Sequence, residues 1–263
     1  SEQFELLKQR STRAETCAAS LKKTQIKNNI MREARDLFYE RKFEELMDSH
    51  NHLLCFNNGV IDFETQVFRE GVPEDFNSKS TNIEYEPLDR NKHATIISEI
   101  EEFMCQLFPI DDLRRYMWDH LASCLIGKNE NQTFNIYNGV GRNGKSALVT
   151  LMYKILGDYT GSVPISLITQ KRGLIGGTSS EVVNLRGTRY AVMQESSKGD
   201  QINEGVMKEL TGGDKITARG LYTNAVTFVP QFKLVMMTNN LFDIKSNDDG
   251  TWRRIRICEF LSL

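Results

Sequence analysis

The second half of this sequence predicts a parallel α/β fold, and three observations carry that prediction. Gly139 to Ser146 reads G-x-x-x-x-G-K-S. A β-type run, Thr133-Phe134-Asn135-Ile136-Tyr137, leads into it, and Leu148, Leu151, Met152 and Ile155 follow at helical spacing. Two more apolar runs, at 188–193 and 233–237, suit strands buried on both faces. Strands alternating with helices after residue 130 build a parallel sheet with its site at the strands' carboxyl ends. Ahead of it lies an α-rich region with a β-hairpin. The expected boundary separates 1–128, an oligomerisation or linker domain, from 129–263, the phosphate-loop core.

In chain order, residues 1–49 are polar, charged and free of Gly and Pro, with apolar residues spaced as on amphipathic helices. Lys22, Lys23 and Lys27 cluster there, and such a cluster reads first as a solvated helix face and second as a nucleic-acid contact. Leu53 to Phe63 changes period around Asn57-Asn58-Gly59 and reads as a hairpin whose Asn-Gly turn uses positive φ. A further short strand is expected at Val67-Phe68, and the Pro- and Asn-bearing stretch 71–89 reads as a loop. Two helices follow. The stripe Ile96, Ile97, Ile100, Phe103, Met104, Leu107 marks the first; Leu113, Tyr116, Met117, His120, Leu121, Cys124 marks the second, with Asp111 or Asp112 as its cap. His120 lies on the apolar stripe and reads as a satisfied core residue.

The loop Gly139, Val140, Gly141, Arg142, Asn143, Gly144, Lys145, Ser146, Ala147 has the chemistry of a phosphate cradle. Its glycines let backbone N–H groups approach phosphates, its lysine reaches the outer phosphates, and its hydroxyl holds magnesium. The following helix presents its positive end to anions. ATP and Mg2+ are therefore the expected ligands. A Gly/Ser-rich stretch runs to Ser180, and the strand at 188–193 ends in Gln194-Glu195. An acid in that place binds the metal, with Ser146, or orients water, and Glu195 takes the role. After a short helix at 202–210, the segments 215–219 and 225–229 form a hairpin around Gly220-Leu221-Tyr222-Thr223-Asn224. The strand at 233–237 ends in Thr238-Asn239-Asn240, where Asn239 can orient the attacking water. A turn at 248–251 carries Trp252-Arg253-Arg254 into a last strand at 255–260.

This order of parts resembles the superfamily-3 helicases, and most nearly the poxvirus-type primase–helicases of large DNA viruses and the phage and plasmid primases. The likeness covers about residues 50–263 and rests on five motifs in sequence. It implies an AAA+-like ATPase working as a hexameric ring on single-stranded DNA in replication. It also implies an upstream primase domain and a place of work inside the host cell, at the replication site. Carried onto this chain, Lys145 and Ser146 belong to Walker A, Glu195 to Walker B, Asn239 is the sensor and Arg254 the finger given to the neighbouring subunit. The hairpin, through Arg219, Leu221 and Tyr222, is the DNA contact. Three departures stand out: Gln194 precedes the Walker B acid, the hairpin tip has no lysine, and Leu241-Phe242 replaces a proline-bearing segment after the sensor.

A phosphate-loop kinase or other small-molecule NTPase is the alternative, and a scaffold that only assembles is a third. Late arginines (Arg253, Arg254, Arg256) fit a finger in trans better than a kinase lid. The net charge of −2 gives no global basic surface, so any DNA contact must be local. No apolar run is long enough to span a membrane. Five scattered cysteines without a C-x-x-C favour neither a zinc ribbon nor a disulfide framework.

Overall fold

The computed structural model describes residues 2–169, 179–194, 201–241, 244 and 248–262. The chain divides into two compact units, Ser1–Glu44 and Glu45–Leu263. The first holds α1 (Glu2–Leu21) and α2 (Thr24–Leu37). No residue of α2 is buried, and Ile30, Leu37 and Phe38 stand exposed.

After α3 (Phe43–Leu46), the chain forms an antiparallel sheet of β1 (Leu53–Phe56), β2 (Gly59–Asp62) and β3 (Val67–Arg69). The expected hairpin is there, with Phe56 paired to Gly59, but its turn differs from expectation. Neither Asn57 nor Asn58 takes a positive φ. Instead, the Asn58 side chain bonds both the N–H and the C=O of Tyr85, which fixes the turn through a segment distant in sequence. The stretch 71–89 is irregular apart from one short 3-10 turn, Pro73–Asp75.

The helices α4 (Ala94–Leu107) and α5 (Asp111–Ser123) follow. The N-cap of α5 is Ile110, so Asp111 and Asp112 sit in the first turn, where they complement the helix dipole without capping. The expected stripe is the buried one: Met117, His120, Leu121 and Cys124 all face inward. His120 Nε2 is 2.9 Å from the Tyr137 hydroxyl, and burial drops its pKa to about 3, so it is a neutral core residue.

The remaining elements are β4 (Phe134–Asn138), α6 (Lys145–Leu156), β5 (Thr160–Val163), α7 (Ser166–Thr169), α8 (Ser180–Val183), β6 (Tyr190–Gln194) and α9 (Glu204–Gly212). Then come β7 (Ile216–Arg219), β8 (Ala225–Phe228), β9 (Lys233–Thr238), α10 (Asp249–Trp252) and β10 (Ile255–Glu259). Five strands make one sheet in the order β10-β4-β9-β6-β5, and every neighbouring pair is parallel. The edge strand β5 has no counterpart in the sequence reading, because Thr160-Gly161-Ser162 lacks the apolar run that marks the buried strands. Among the described residues β7 and β8 pair only with each other, as the expected hairpin.

Each sheet face carries its own core. Leu107, Met117, Leu121, Tyr137, Leu148 and Tyr190 lie in one, and Phe134, Ile136, Met193, Leu210, Phe232 and Leu234 in the other. α4 and α5 pack Met104, Leu107, Met117 and Leu121 into the first core, and the compact units meet at 44/45. Two buried cations fasten this region. Lys233 donates to the carbonyls of Ser123, Ile126 and Lys128 at the end of α5. Arg189 donates to Leu125 and Leu53 and lies 4.5 Å over the Tyr159 ring.

Candidate functional site

The phosphate-type loop leaves the carboxyl end of β4 and enters α6. Its conformation explains its glycines. Gly139 has φ 155°, and a Cβ there would meet the Asn143 side chain and lie 2.8 Å from the Phe260 carbonyl. Gly144 has φ 83°, and a Cβ would run into Leu107 Cδ2. Around Gly141 nothing among the described residues lies within 4 Å of an added Cβ. Arg142 takes the left-handed region too, with φ 66°, which places its side chain on the open side. Gly144 is the N-cap of α6 and supplies no side chain to it, so the helix end faces the cleft with backbone alone.

Lys145 is buried, and its Nζ donates to three neutral oxygens: the Gly139 carbonyl, Asn143 Oδ1 at 3.1 Å and Asn239 Oδ1 at 3.2 Å. Burial lowers its pKa. Asn143 is itself buried. It donates through Nδ2 to the Phe260 carbonyl at 3.2 Å and accepts at its own carbonyl from Ser262 Oγ at 2.9 Å. The segment after β10 thus braces the loop. One residue upstream, Asn138 donates to both carboxylate oxygens of Glu259 at 3.0 Å.

The cleft over this loop measures about 310 Å3 and is lined by residues 141–147 with Gln194, Met237, Thr238 and Asn239. Parallel pairing of β4 with β9, and of β9 with β6, brings Asn138, Thr238 and Gln194 to one end of the sheet. The structure therefore gathers Gly139 to Ala147 with Asn239. Ser146 is exposed on the first turn of α6 beside Lys145. Glu195 lies outside the described residues; its neighbour Gln194 lines the cleft.

Arg254 is elsewhere. It precedes β10, whose Ile255 pairs with Phe134 at the start of β4, so it sits at the opposite end of the sheet. The five-residue strand separates it from its own loop by ~16 Å. Arg254 is buried, donates to the Gly250 carbonyl at 2.7 Å and to Gln132 Oε1 at 2.8 Å, and leaves its Nε without a partner among the described residues. Arg253, exposed, shares the same Gln132 oxygen at 2.8 Å. Burial, then the nearby Arg253 charge, lowers the Arg254 pKa.

The hairpin residues form a third group. Tyr222 is fully exposed at the tip with φ 59°, and Leu221 is 63% exposed. Tyr222 therefore does not pack on its own arms. Arg219 Nε donates to the Thr223 carbonyl at 3.0 Å and closes the tip. At the end of the sheet away from the loop, a cavity of about 250 Å3 lies between His52, Glu64, Lys128 and Lys233, where Lys233 is already held by its three carbonyls. Among the described residues no cluster of three or more metal-ligating side chains occurs. Nor is any helix there long and apolar enough to cross a membrane.

Sequence reading missed Gln132 and the Asn138–Glu259 pair. Gln132 stood in a polar turn before a strand, and Glu259 lies 121 residues from its partner. The only local signal was that polar side chains flank the same strand at both of its ends.

The fold and loop define an α/β domain built on a parallel sheet with G-x-x-x-x-G-K-S at the carboxyl end of β4. Residues 3–109 match the family described as D5 N terminal like, and residues 137–254 match a family of unknown function, DUF5906. A protein named "putative helicase" of Acanthamoeba polyphaga mimivirus is 39% identical over 236 residues, 90% of this chain and 24% of that protein. One with the same name from Invertebrate iridescent virus 3 is 33% identical over 89% of this chain and 25% of its own length. A "putative primase" of African swine fever virus is 29% identical over 88% and 24%. Among solved structures, the apo C-terminal region of NrS-1 aligns with a TM-score of 0.48 at 15% identity, covering 62% of this chain and 38% of that one. The chain spans about a quarter of the length of the curated relatives it matches. The chain belongs to the D5-like family of helicase- and primase-named proteins of large DNA viruses.

Proposed function

We propose that this chain is the ATP-hydrolysing part of a viral helicase that works as a ring of six subunits on single-stranded DNA, within a longer protein that also carries a primase domain. Its place of work would be the replication site of the virus inside the host cell. The observation that carries the reading is the set of bonds at Lys145. A cation is held at the carboxyl end of a parallel sheet by three neutral oxygens and, among the described residues, by no carboxylate. Outer phosphate oxygens would replace those neutral acceptors with charge-assisted bonds, which are roughly twice as strong. Asn239, released from Lys145, could then hold the attacking water.

The donor set fits magnesium as well as phosphate. Ser146 offers a hydroxyl oxygen on the first turn of α6, and hard cations take oxygen ligands. Magnesium, once bound by Ser146 and Glu195, would neutralise charge on the phosphate oxygens. Gly139 and Gly144 keep the loop free of side chains where backbone N–H groups must approach the phosphates.

Arg254 is read as a finger for the neighbouring subunit. Its place at the far end of the sheet from its own loop supports action in trans. Neither it nor Arg253 is hydrogen-bonded to a carboxylate among the described residues, so an incoming phosphate would meet two guanidiniums held by neutral oxygens. The fully exposed Tyr222 at a hairpin tip, beside Arg219 and Leu221, supports a DNA contact by stacking, worth ~1–3 kcal/mol per base.

The test is ATP hydrolysis with and without single-stranded DNA, together with the particle mass in both conditions. Hydrolysis raised by DNA in a particle near six subunits is the expected result. Hydrolysis by a monomer indifferent to DNA would favour a small-molecule NTPase or kinase and sink the ring reading.

A further inference from the structure

Gln132 uses its whole side chain in this structure. It is half-buried, two residues before β4, and holds φ 52°, a left-handed conformation that is unfavourable for any residue with a Cβ. Such backbones persist where the surroundings over-determine them. Its Nε2 donates to the Gly212 carbonyl at 2.7 Å. Its Oε1 accepts from Arg253 Nη2 and from Arg254 Nη2, both at 2.8 Å. One amide therefore joins two places that matter in the reading above.

Gly212 is the last residue of α9, and β7 begins four residues later at Ile216. The Gly212 carbonyl is the root of the hairpin. A second tie runs beside the first, from Asn129 Nδ2 to the Thr211 carbonyl at 3.3 Å, and the Gln132 N–H bonds the Asn129 carbonyl at 3.0 Å. The other end of α9 is tied to the turn that carries the arginines. Thr251 Oγ1 donates to Glu204 at 3.0 Å, and Lys208 pairs with Asp248. A shift of the hairpin root is thus felt at Arg253 and Arg254 through α10 and through Gln132.

The choice of an amide is informative. A carboxylate at this place would hold two guanidiniums as ion pairs. A neutral oxygen holds them more weakly and can give them up to a phosphate. The buried Nε of Arg254, which has no partner among the described residues, points the same way, since a buried donor left unmade is costly.

We propose that Gln132 is the positioning residue that couples the hairpin to the arginine pair, so that DNA on the hairpin sets the arginines for the neighbouring nucleotide. The inference rests on the ring-ATPase reading of the hairpin and of Arg254. Two variants test it. Gln132→Glu keeps two acceptors for the arginines but has no donor for the Gly212 carbonyl, so it cuts one half of the junction. Gln132→Gly removes both halves and suits the positive φ, which protects folding. For each, the ATPase kcat and KM would be measured with and without oligo-dT, and the oligo-dT Kd measured separately. We expect the ratio of DNA-stimulated to basal kcat to fall at least fivefold, towards one, while KM for ATP and Kd for oligo-dT stay within about twofold of wild type. A preserved ratio overturns the inference, as does a parallel loss of both rates, which is the mark of a purely structural role. Arg254→Ala and Arg219→Ala with Tyr222→Ala serve as controls. If Arg254→Ala still hydrolyses ATP, or the hairpin variant still responds to DNA, the underlying reading fails and takes this inference with it. If the controls behave as expected and the Gln132 ratio is preserved, this inference alone fails.

Discussion

Replacing Gly144 by alanine, compared with the same change at Gly141, tests whether the loop is built as described. Both glycines lie in one loop, and only Gly144 is a motif position. At Gly144 two penalties combine. The backbone sits at φ 83°, where an L side chain costs roughly 1–2 kcal/mol. The new methyl would also run into Leu107 Cδ2, and Leu107 is 5% exposed within the core shared with Leu148 and Met104. Overpacking of that kind costs about 1–3 kcal/mol. The sum, about 2–5 kcal/mol, corresponds to a fall in Tm of roughly 4–20 °C for a domain of this size. At Gly141 no atom of the described residues lies within 4 Å to clash with, and there is no positive φ to strain. Gly141→Ala should therefore stay within about 0.5 kcal/mol of wild type, like other surface changes. The assay is urea unfolding of the ligand-free protein, followed by circular dichroism and checked by a thermal melt. Equal destabilisation by the two variants would refute the reasoning, as would a loss below about 1 kcal/mol at Gly144.

Three further outcomes follow from the same geometry. Lys145→Ala should abolish ATP hydrolysis while the protein remains folded, because Nζ serves three neutral oxygens near the surface of the cleft and no core; retention of more than about a tenth of the rate, ~1.4 kcal/mol of barrier, would contradict the assignment. Arg254→Ala should stop hydrolysis, bind ATP nearly normally, and regain activity when mixed with Lys145→Ala subunits; no recovery in rings shown to be mixed would move the role to the exposed Arg253. Alkaline pH should unfold the second unit from about pH 9 upward. Burial raises Cys124 and Cys258 from 9.0 to about 12, so their stabilisation is fully present below pH 9 and is lost as pH rises towards 12, where only the unfolded chain has released its protons. Lys233, lowered by burial to about 8, acts in the opposite sense between pH 8 and its unfolded value of 10.5. Replacing both cysteines by alanine should flatten the fall in stability above pH 9, measured against each variant's own value at pH 7; an unchanged slope would exclude the thiols as its source.

The sequence by itself determined what depends on neighbours in the chain. The apolar runs of β4, β6 and β9, the helical stripe of α5 and the glycine spacing of the loop are local patterns, and each formed where the pattern put it. The hairpin of β7 and β8 was legible for the same reason, since its turn and both arms lie within 13 residues, 216–228. Tertiary structure decided what depends on partners far away. Sequence cannot say that Asn143 reaches the Phe260 carbonyl, that Lys145 meets Asn239, or that Gln132 serves Gly212 and two arginines at once. A polar side chain declares which bonds it can make, and only the packed sheet, which sets strand order and register, decides with whom. The same holds for Arg189 and Lys233. Each stands at the head of a buried strand, in adjacent positions of one ladder, as Lys233 donates its N–H to the Arg189 carbonyl at 2.8 Å. Read locally they are surface charges. They are buried because α5 and β1 close over that end of the sheet and bring the unpaired carbonyls of Ser123, Leu125 and Leu53, which cannot stay unbonded away from water.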